Sequence, residues 1–270
     1  MIISGAEMRQ IIHASKAGFE RLTGWRFWLA RAAKPEETRS FLKKLNPVKS
    51  VAPMIRIGPE EDGGYLVPDD LDDISGVISP GVSTEVRFDR EMADRGMTVI
   101  MADASVSGLP EEHPNFRFRP CFVDVVDGPG TVRLKTLTDE VPEGDLMLQM
   151  DIEFCEWHVL LDTETEVLNR FRIMILELHG LRRAFSKDSL MLLDACIKKL
   201  KNTHHVVHLH PNNVLAPTKF AGLEIPSLLE VTFYRKDRPV KVDESPPLPH
   251  PLDHNCVPGN PTVVVPAYWR

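Results

Sequence analysis

LMLQMDIEFCEWHVL, Leu146–Leu160, sets an apolar run directly against a cluster of acids. Leu146, Met147, Leu148 and Met150 read as a strand buried on both faces, the kind found inside a parallel sheet. Asp151, Glu153 and Glu156 follow at once, and EWHVLLDTETEVLNRF then reads as helix. A strand can end in any polar residue, so these acids are either solvated punctuation or part of a site. What else arrives at the same edge decides between the two.

Outward from this strand the chain alternates. Gly76–Ser79 is a short strand closed by a Pro-Gly turn, and TEVRFDREMADRG has helical spacing with Gly96 as its stop. MTVIMADAS is a second strand and NFRFRPCFV a third. Downstream, RIMILELHG is a fifth strand. SKDSLMLLDACIKKL is a helix with Leu190, Leu193, Ile197 and Leu200 along one face and Ser186 placed to cap it. HHVVHLHPN and SLLEVTFYRK, joined by a loop punctuated with Pro and Gly, are the last two strands and add an antiparallel edge. The pattern implies an α/β fold, a doubly wound and mostly parallel sheet covered on both faces.

Residues 1–50 read as an N-terminal helical extension, 51–240 as the sheet domain and 241–270 as a proline-rich, extended tail packed on that domain. Within the extension, PEETRSFLKKL carries its own start signal in Pro35, Glu36 and Glu37. The preceding segment mixes Phe19, Trp25, Phe27 and Trp28 with Arg21, Arg26 and Arg31. Such a helix either lies on a membrane surface or, the more common case, docks on its own domain or on a second subunit, where it is a candidate homodimer face.

Composition narrows the function. A net charge of -7, from 32 basic and 39 acidic residues, argues against a nucleic-acid binder. The cysteines Cys121, Cys155, Cys196 and Cys256 are scattered with no CxxC pair, which fits neither a zinc knuckle nor a disulfide framework and suits a reducing compartment. No apolar run approaches the ~20 residues of a membrane span, and the N-terminus lacks a secretory layout. A soluble, cytoplasmic protein is the expectation.

Ligands of an open α/β sheet bind beyond the carboxyl ends of its strands, near the point where strand order reverses. Strand one delivers Ser79, Pro80, Gly81 and Ser83 there, strand two Asp103, strand four Asp151 and Glu153. Strand five delivers Glu177 and His179, strand six His208 and His210. Convergence on that scale favours a site over punctuation. The turn at Gly81 can offer backbone N–H groups to a ligand, and Asp103, 22 residues beyond it, stands where an acid accepts ribose hydroxyls. In DGGYLVP, Gly63 and Gly64 permit close backbone approach and Tyr65 adds a flat ring, although a hairpin turn explains the same string. Glu177 with His179, and His208 with His210, are spaced two apart and so share a strand face. A histidine oriented by a carboxylate can take a proton from a hydroxyl. Asp151, Glu177 and His179 are equally a candidate ligand set for magnesium or manganese.

DGGYLVP, ISPGVSTE, LMLQMDIEFCEW, ILELHG, HLHPNN and IPSLLEVTF, in this order over roughly residues 55 to 238, resemble the FkbM-type and related S-adenosylmethionine-dependent methyltransferases. The resemblance implies a seven-stranded, Rossmann-like class I methyltransferase sheet with an antiparallel last strand. It implies a cofactor site at Ser79, Pro80, Gly81 and Ser83, with Asp103 on the ribose and Phe122 and Val123 beside the adenine. Family members often methylate hydroxyls of sugars or glycosylated products. The chain departs from the pattern at Phe154, where the family's DIEG carries glycine, and in the sparse glycine of its first turn.

The leading expectation is therefore an S-adenosylmethionine-dependent O-methyltransferase for a small-molecule or glycan acceptor, with Asp151, Glu177 and His179 at the acceptor end and His208 or His210 assisting. Its rivals are a metal-dependent hydrolase or nucleotide-sugar enzyme on the same edge, and a catalytically silent binding module.

Overall fold

The computed structural model describes residues 14–16, 18, 21–22, 30–141 and 143–269. Most of the aromatic N-terminal segment, including Trp25, Phe27 and Trp28, lies outside the described residues. A hairpin of β1 (Met54–Ile57) and β2 (Tyr65–Pro68) comes first, so DGGYLVP does form a hairpin turn and strand. A seven-stranded sheet follows, made of β3 (Ile74–Pro80), β4 (Thr98–Ala102), β5 (Phe116–Arg119), β6 (Asp145–Met150), β7 (Phe171–His179), β8 (His204–Asn212) and β9 (Leu228–Arg235). Its spatial order is β5-β4-β3-β6-β7-β9-β8. The pairs among β3 to β7 are parallel. The chain runs outward from β3 to β5, then returns to β6 on the other side, so strand order reverses between β3 and β6.

The last strand of the sheet is antiparallel, as expected, but it does not form the edge. β9 is antiparallel to both β7 and β8 and lies between them, which leaves β8 outermost. Leu229, Val231 and Phe233 are buried in one layer and Tyr234 in the other. A strand covered on both faces belongs inside a sheet.

Among the described residues, helices with assigned bounds cover the sheet: α1 (Pro35–Leu42), α2 (Arg87–Asp94), α3 (Leu134–Thr138), α4 (Glu156–Asp162), α5 (Thr165–Leu168) and α6 (Lys187–Thr203). Leu190, Leu193, Ile197 and Leu200 of α6 are all buried, as their spacing predicts. Ser186 occupies the N-cap position but makes no side-chain cap bond. Alternate residues of β7 serve opposite layers. Met174, Leu176 and Leu178 pack with α1, α4 and α6, whereas Ile173 and Ile175 pack with Phe88 and Met92 of α2 and Val67 of the hairpin.

Two expected elements are interrupted. NFRFRPCFV breaks at Pro120, which has no N–H for the ladder, and Phe122–Val123 pairs instead with Thr131–Val132. The helix after β6 divides at Thr163, whose ψ of 128° is not helical, into α4 and α5.

The tail is more than extended chain. Val240–Lys241 pairs antiparallel with Lys49–Ser50, and Trp269 is fully buried in the same layer as α1 and α6. Tyr268 Oη donates to the Glu224 carbonyl at 2.7 Å. Trp269→Ala is therefore expected to cost about 3–5 kcal/mol in chemical denaturation, as for any buried tryptophan. A change within about 0.5 kcal/mol, typical of surface sites, would contradict this packing.

Candidate functional site

Gly81 and Asp151 fix the centre of the site. Gly81 leaves β3 with φ +86°, a conformation that suits glycine, and a Cβ there would collide with the Asp151 carbonyl oxygen. The Gly81 N–H donates to the Ala102 carbonyl at 2.9 Å, and the Asp151 N–H donates to the Pro80 carbonyl at 3.1 Å. These bonds join the exits of β3, β4 and β6 at the point of strand reversal. Asp103 then braces the loop above: its Oδ2 accepts from the Ser83 N–H at 3.0 Å and its Oδ1 from the Ser105 N–H at 2.7 Å. Burial alone would raise the Asp103 carboxyl, but the bonds from Ser105 and Ser83 outweigh it and hold the group below its ordinary range.

Two hollows meet at this crossing. The larger, about 620 Å³, is lined by Gly81, Ser83, Asp103, Phe122, Val123 and Asp151. The smaller, about 190 Å³, shares Gly81, Ser83 and Asp151 and adds Gly63, Tyr65 and Asp89. Three expected site residues stand elsewhere. Ser79 and Pro80 are buried beneath the floor, with Ser79 Oγ donating to Gln149 Oε1 at 2.9 Å. Gly64 serves the hairpin turn, where a Cβ would strike the Pro59 carbonyl.

The acidic end of the site is crowded. Asp151 and the buried Glu177 are near enough for the charge of Asp151 to disfavour the ionised form of Glu177. Burial lifts the Asp151 carboxyl to about 6, with Glu153 and Glu156 adding to the shift and His179 opposing it. Burial followed by the Asp151 and Glu230 charges pushes Glu177 well above the carboxylate range. Asn212 Nδ2 donates to Glu177 Oε1 at 3.2 Å.

His179 faces carboxylates on both nitrogens. Its Nδ1 lies 2.7 Å from Glu156 Oε1, and its Nε2 lies 3.4 Å from Glu153 Oε2 and 3.7 Å from Asp151 Oδ1. Burial works against the imidazolium, yet Glu156, Asp151 and Glu153 together hold the ring above its ordinary 6.5. Trp157 Nε1 donates to the His179 carbonyl at 2.8 Å and fixes the strand end to α4. Glu153 and Phe154 both adopt positive φ, 51° and 77°, a conformation costing of order 1–3 kcal/mol in a non-glycine residue. The Phe154 ring rests against His179 at 5.2 Å and under the Arg183 guanidinium at 5.1 Å.

Glu156, one of the acids that follow β6, was not among the expected site residues. It is fully buried, and only the fold brings it to His179. It also replaces Glu177 in the expected metal set: Asp151, Glu156 and His179 offer ligand atoms within 4.8 Å of one another, whereas Glu177 turns toward Asn212. His208 and His210 share a face as expected but do not join His179, since β9 stands between their strand and β7. His208 Nε2 pairs with Asp253 Oδ1 at 2.9 Å, and His210 lines a separate cavity of about 290 Å³ beneath the tail.

No protein-family model matches the chain, and no curated protein matches it.

Asp89, on the inner face of α2, is a further site residue that helical spacing alone did not reveal. Burial raises its carboxyl from 3.8 to about 7, so the folded chain keeps a proton that the unfolded chain loses near 3.8. The stability this provides is complete below 3.8, declines as pH rises and is gone above about 7. At about 1.4 kcal/mol per pH unit the loss is on the order of 4 kcal/mol. Denaturant unfolding across this window should show Asp89→Asn losing less stability than wild type with rising pH. Parallel curves would refute the buried, protonated acid.

Proposed function

We propose that the chain is an S-adenosylmethionine-dependent O-methyltransferase acting on a hydroxyl of a sugar, polysaccharide or glycosylated product. The reading is carried by the crossing at Gly81 and Asp151, which sits at the strand reversal of a mostly parallel sheet with Asp103 at the next strand end. The residues present fit the cofactor. Gly81 lines both hollows, and its missing side chain lets the exits of β3 and β6 meet where a Cβ would strike the Asp151 carbonyl. Asp103 has used one acceptor site on each oxygen and retains others for ribose hydroxyls. Phe122 and Val123 give the larger hollow an apolar wall suited to adenine.

Bound there, S-adenosylmethionine would supply an activated methyl group on a sulfonium cation. The chain's own contribution is positioning and proton removal. Asp151 and its acidic neighbours favour a cation. At His179, Glu156 holds the proton on Nδ1 and leaves Nε2 on the side of Asp151 to accept a proton from an acceptor hydroxyl. Only neutral His179 can do so, and its raised pKa places that form above pH 6.5.

The rival of a metal-dependent hydrolase or nucleotide-sugar enzyme draws on Asp151 Oδ1 and Glu156 Oε2, both buried without hydrogen-bond partners. It predicts chelator-sensitive turnover with no methyl donor. The commitment of His179 Nδ1 to Glu156 favours proton transfer instead.

Calorimetry should detect one binding event for S-adenosylmethionine and for S-adenosylhomocysteine. Asp103→Ala should weaken it about 10- to 100-fold, the worth of a hydrogen bond to a charged group. Failure of both ligands to bind at high micromolar concentration would remove the proposal. With an acceptor in hand, kcat should rise with pH through a value above 6.5. His179→Ala should lower kcat about 100- to 10,000-fold while leaving cofactor affinity in place. An unchanged pH profile in that variant would deny His179 its role.

A further inference from the structure

A second cluster lies one strand beyond Glu177, outside both hollows of the crossing. His210 of β8 and Glu230 of β9 are direct cross-strand partners, and the tail brings Cys256 onto them. All three side chains are buried, and their ligand atoms lie within 4.8 Å of one another. Cys256 Sγ donates to Glu230 Oε1 at 3.1 Å, and Asp62 in the hairpin loop is near enough for its charge to act on the same thiol.

His210 is the telling member. The residue is only 7% exposed, yet neither ring nitrogen has a hydrogen-bond partner. Asp253 Oδ1 stands 3.7 Å from Nδ1, too far for a hydrogen bond, and is already held by His208 Nε2 at 2.9 Å. An imidazole buried in that way is costly, and native proteins rarely leave such a group unsatisfied. A cation would satisfy it.

We propose that His210, Glu230 and Cys256 form a zinc site and that the metal latches the C-terminal tail onto the sheet edge. One imidazole, one thiolate and one carboxylate are a donor set that suits zinc, and they come from three separate segments. Glu230 and a Cys256 thiolate carry two negative charges, which a dication neutralises. Binding releases the thiol proton to solvent. Without the cation, burial and the charge of Glu230 favour the protonated thiol. The competing cation is Arg56, but its guanidinium donates to the Pro59 and Glu61 carbonyls at 2.7 and 3.0 Å and is occupied there. The inference is independent of methyl transfer, since none of the three ligands lines the crossing.

The test uses the full chain stripped with chelator and dialysed. Zinc should bind at one equivalent, and cobalt(II) should produce a thiolate-to-cobalt charge-transfer band. Cys256→Ser and His210→Gln should each abolish the band. His210→Gln retains the thiol and serves as the second test should the serine variant fold poorly. Cys155→Ser should retain the band. Absence of uptake by wild type would overturn the site, as would a band that survives Cys256→Ser. Metal uptake without any thiolate band would place the ion at Asp151, Glu156 and His179 and overturn it equally.

Discussion

At the carboxyl edge of the sheet, Asp151, Glu177, Glu230 and His210 stand in one row across four neighbouring strands, and buried groups in such a row cannot all carry charge. Strand pairing enforces the row. Glu177 is opposite Glu230, Glu230 is opposite His210, and Asp151 follows Met150, the last paired residue of β6. Charges removed from water must be paired or neutralised. Burial and the Asp151 charge favour a protonated Glu177, while Glu230, raised to about 6 by burial, takes a hydrogen bond from Cys256. The hairpin lies over the row with the buried Tyr65, whose hydroxyl accepts from Gln149 Nε2 at 3.2 Å. Hairpin, tail and site are thus joined by the same polar seam.

The backbone around this row is held in conformations that a free chain would avoid. Gly81 is pressed against the Asp151 carbonyl, and Glu153 and Phe154 take positive φ in succession. Such conformations persist where surrounding packing over-determines them. Here Trp157 anchors α4 to the His179 carbonyl, and Phe154 is caught between His179 and Arg183. Phe154 holds a left-handed backbone that glycine would favour. Its ring closes over the histidine.

Much of this was legible in sequence. The apolar run of β6 and the four-leucine-and-isoleucine face of α6 carry strong periodic signals, and they fold as read. The convergence of Gly81, Asp103, Asp151, Glu177 and His179 followed from strand ends alone, because parallel strands release their termini at one edge. What escaped were facts of pairing and burial. Nothing local distinguishes an edge strand from an inserted one, so the place of β9 depended on tertiary packing. Glu156 and Asp89 sit on helices whose surfaces suit acids equally well in solvent. Cys256 and Trp269 lie in a proline-rich stretch with no periodicity, and their burial comes from distant partners.

The central claim is that burial and the neighbouring Asp151 charge keep the Glu177 carboxyl protonated. Infrared spectroscopy reads it directly through the C=O absorption of protonated carboxyl groups. Wild-type protein should show such a band at neutral pH, diminished in Glu177→Gln and in Asp151→Asn. Spectra in which neither substitution alters the carboxylic-acid absorption would contradict the account.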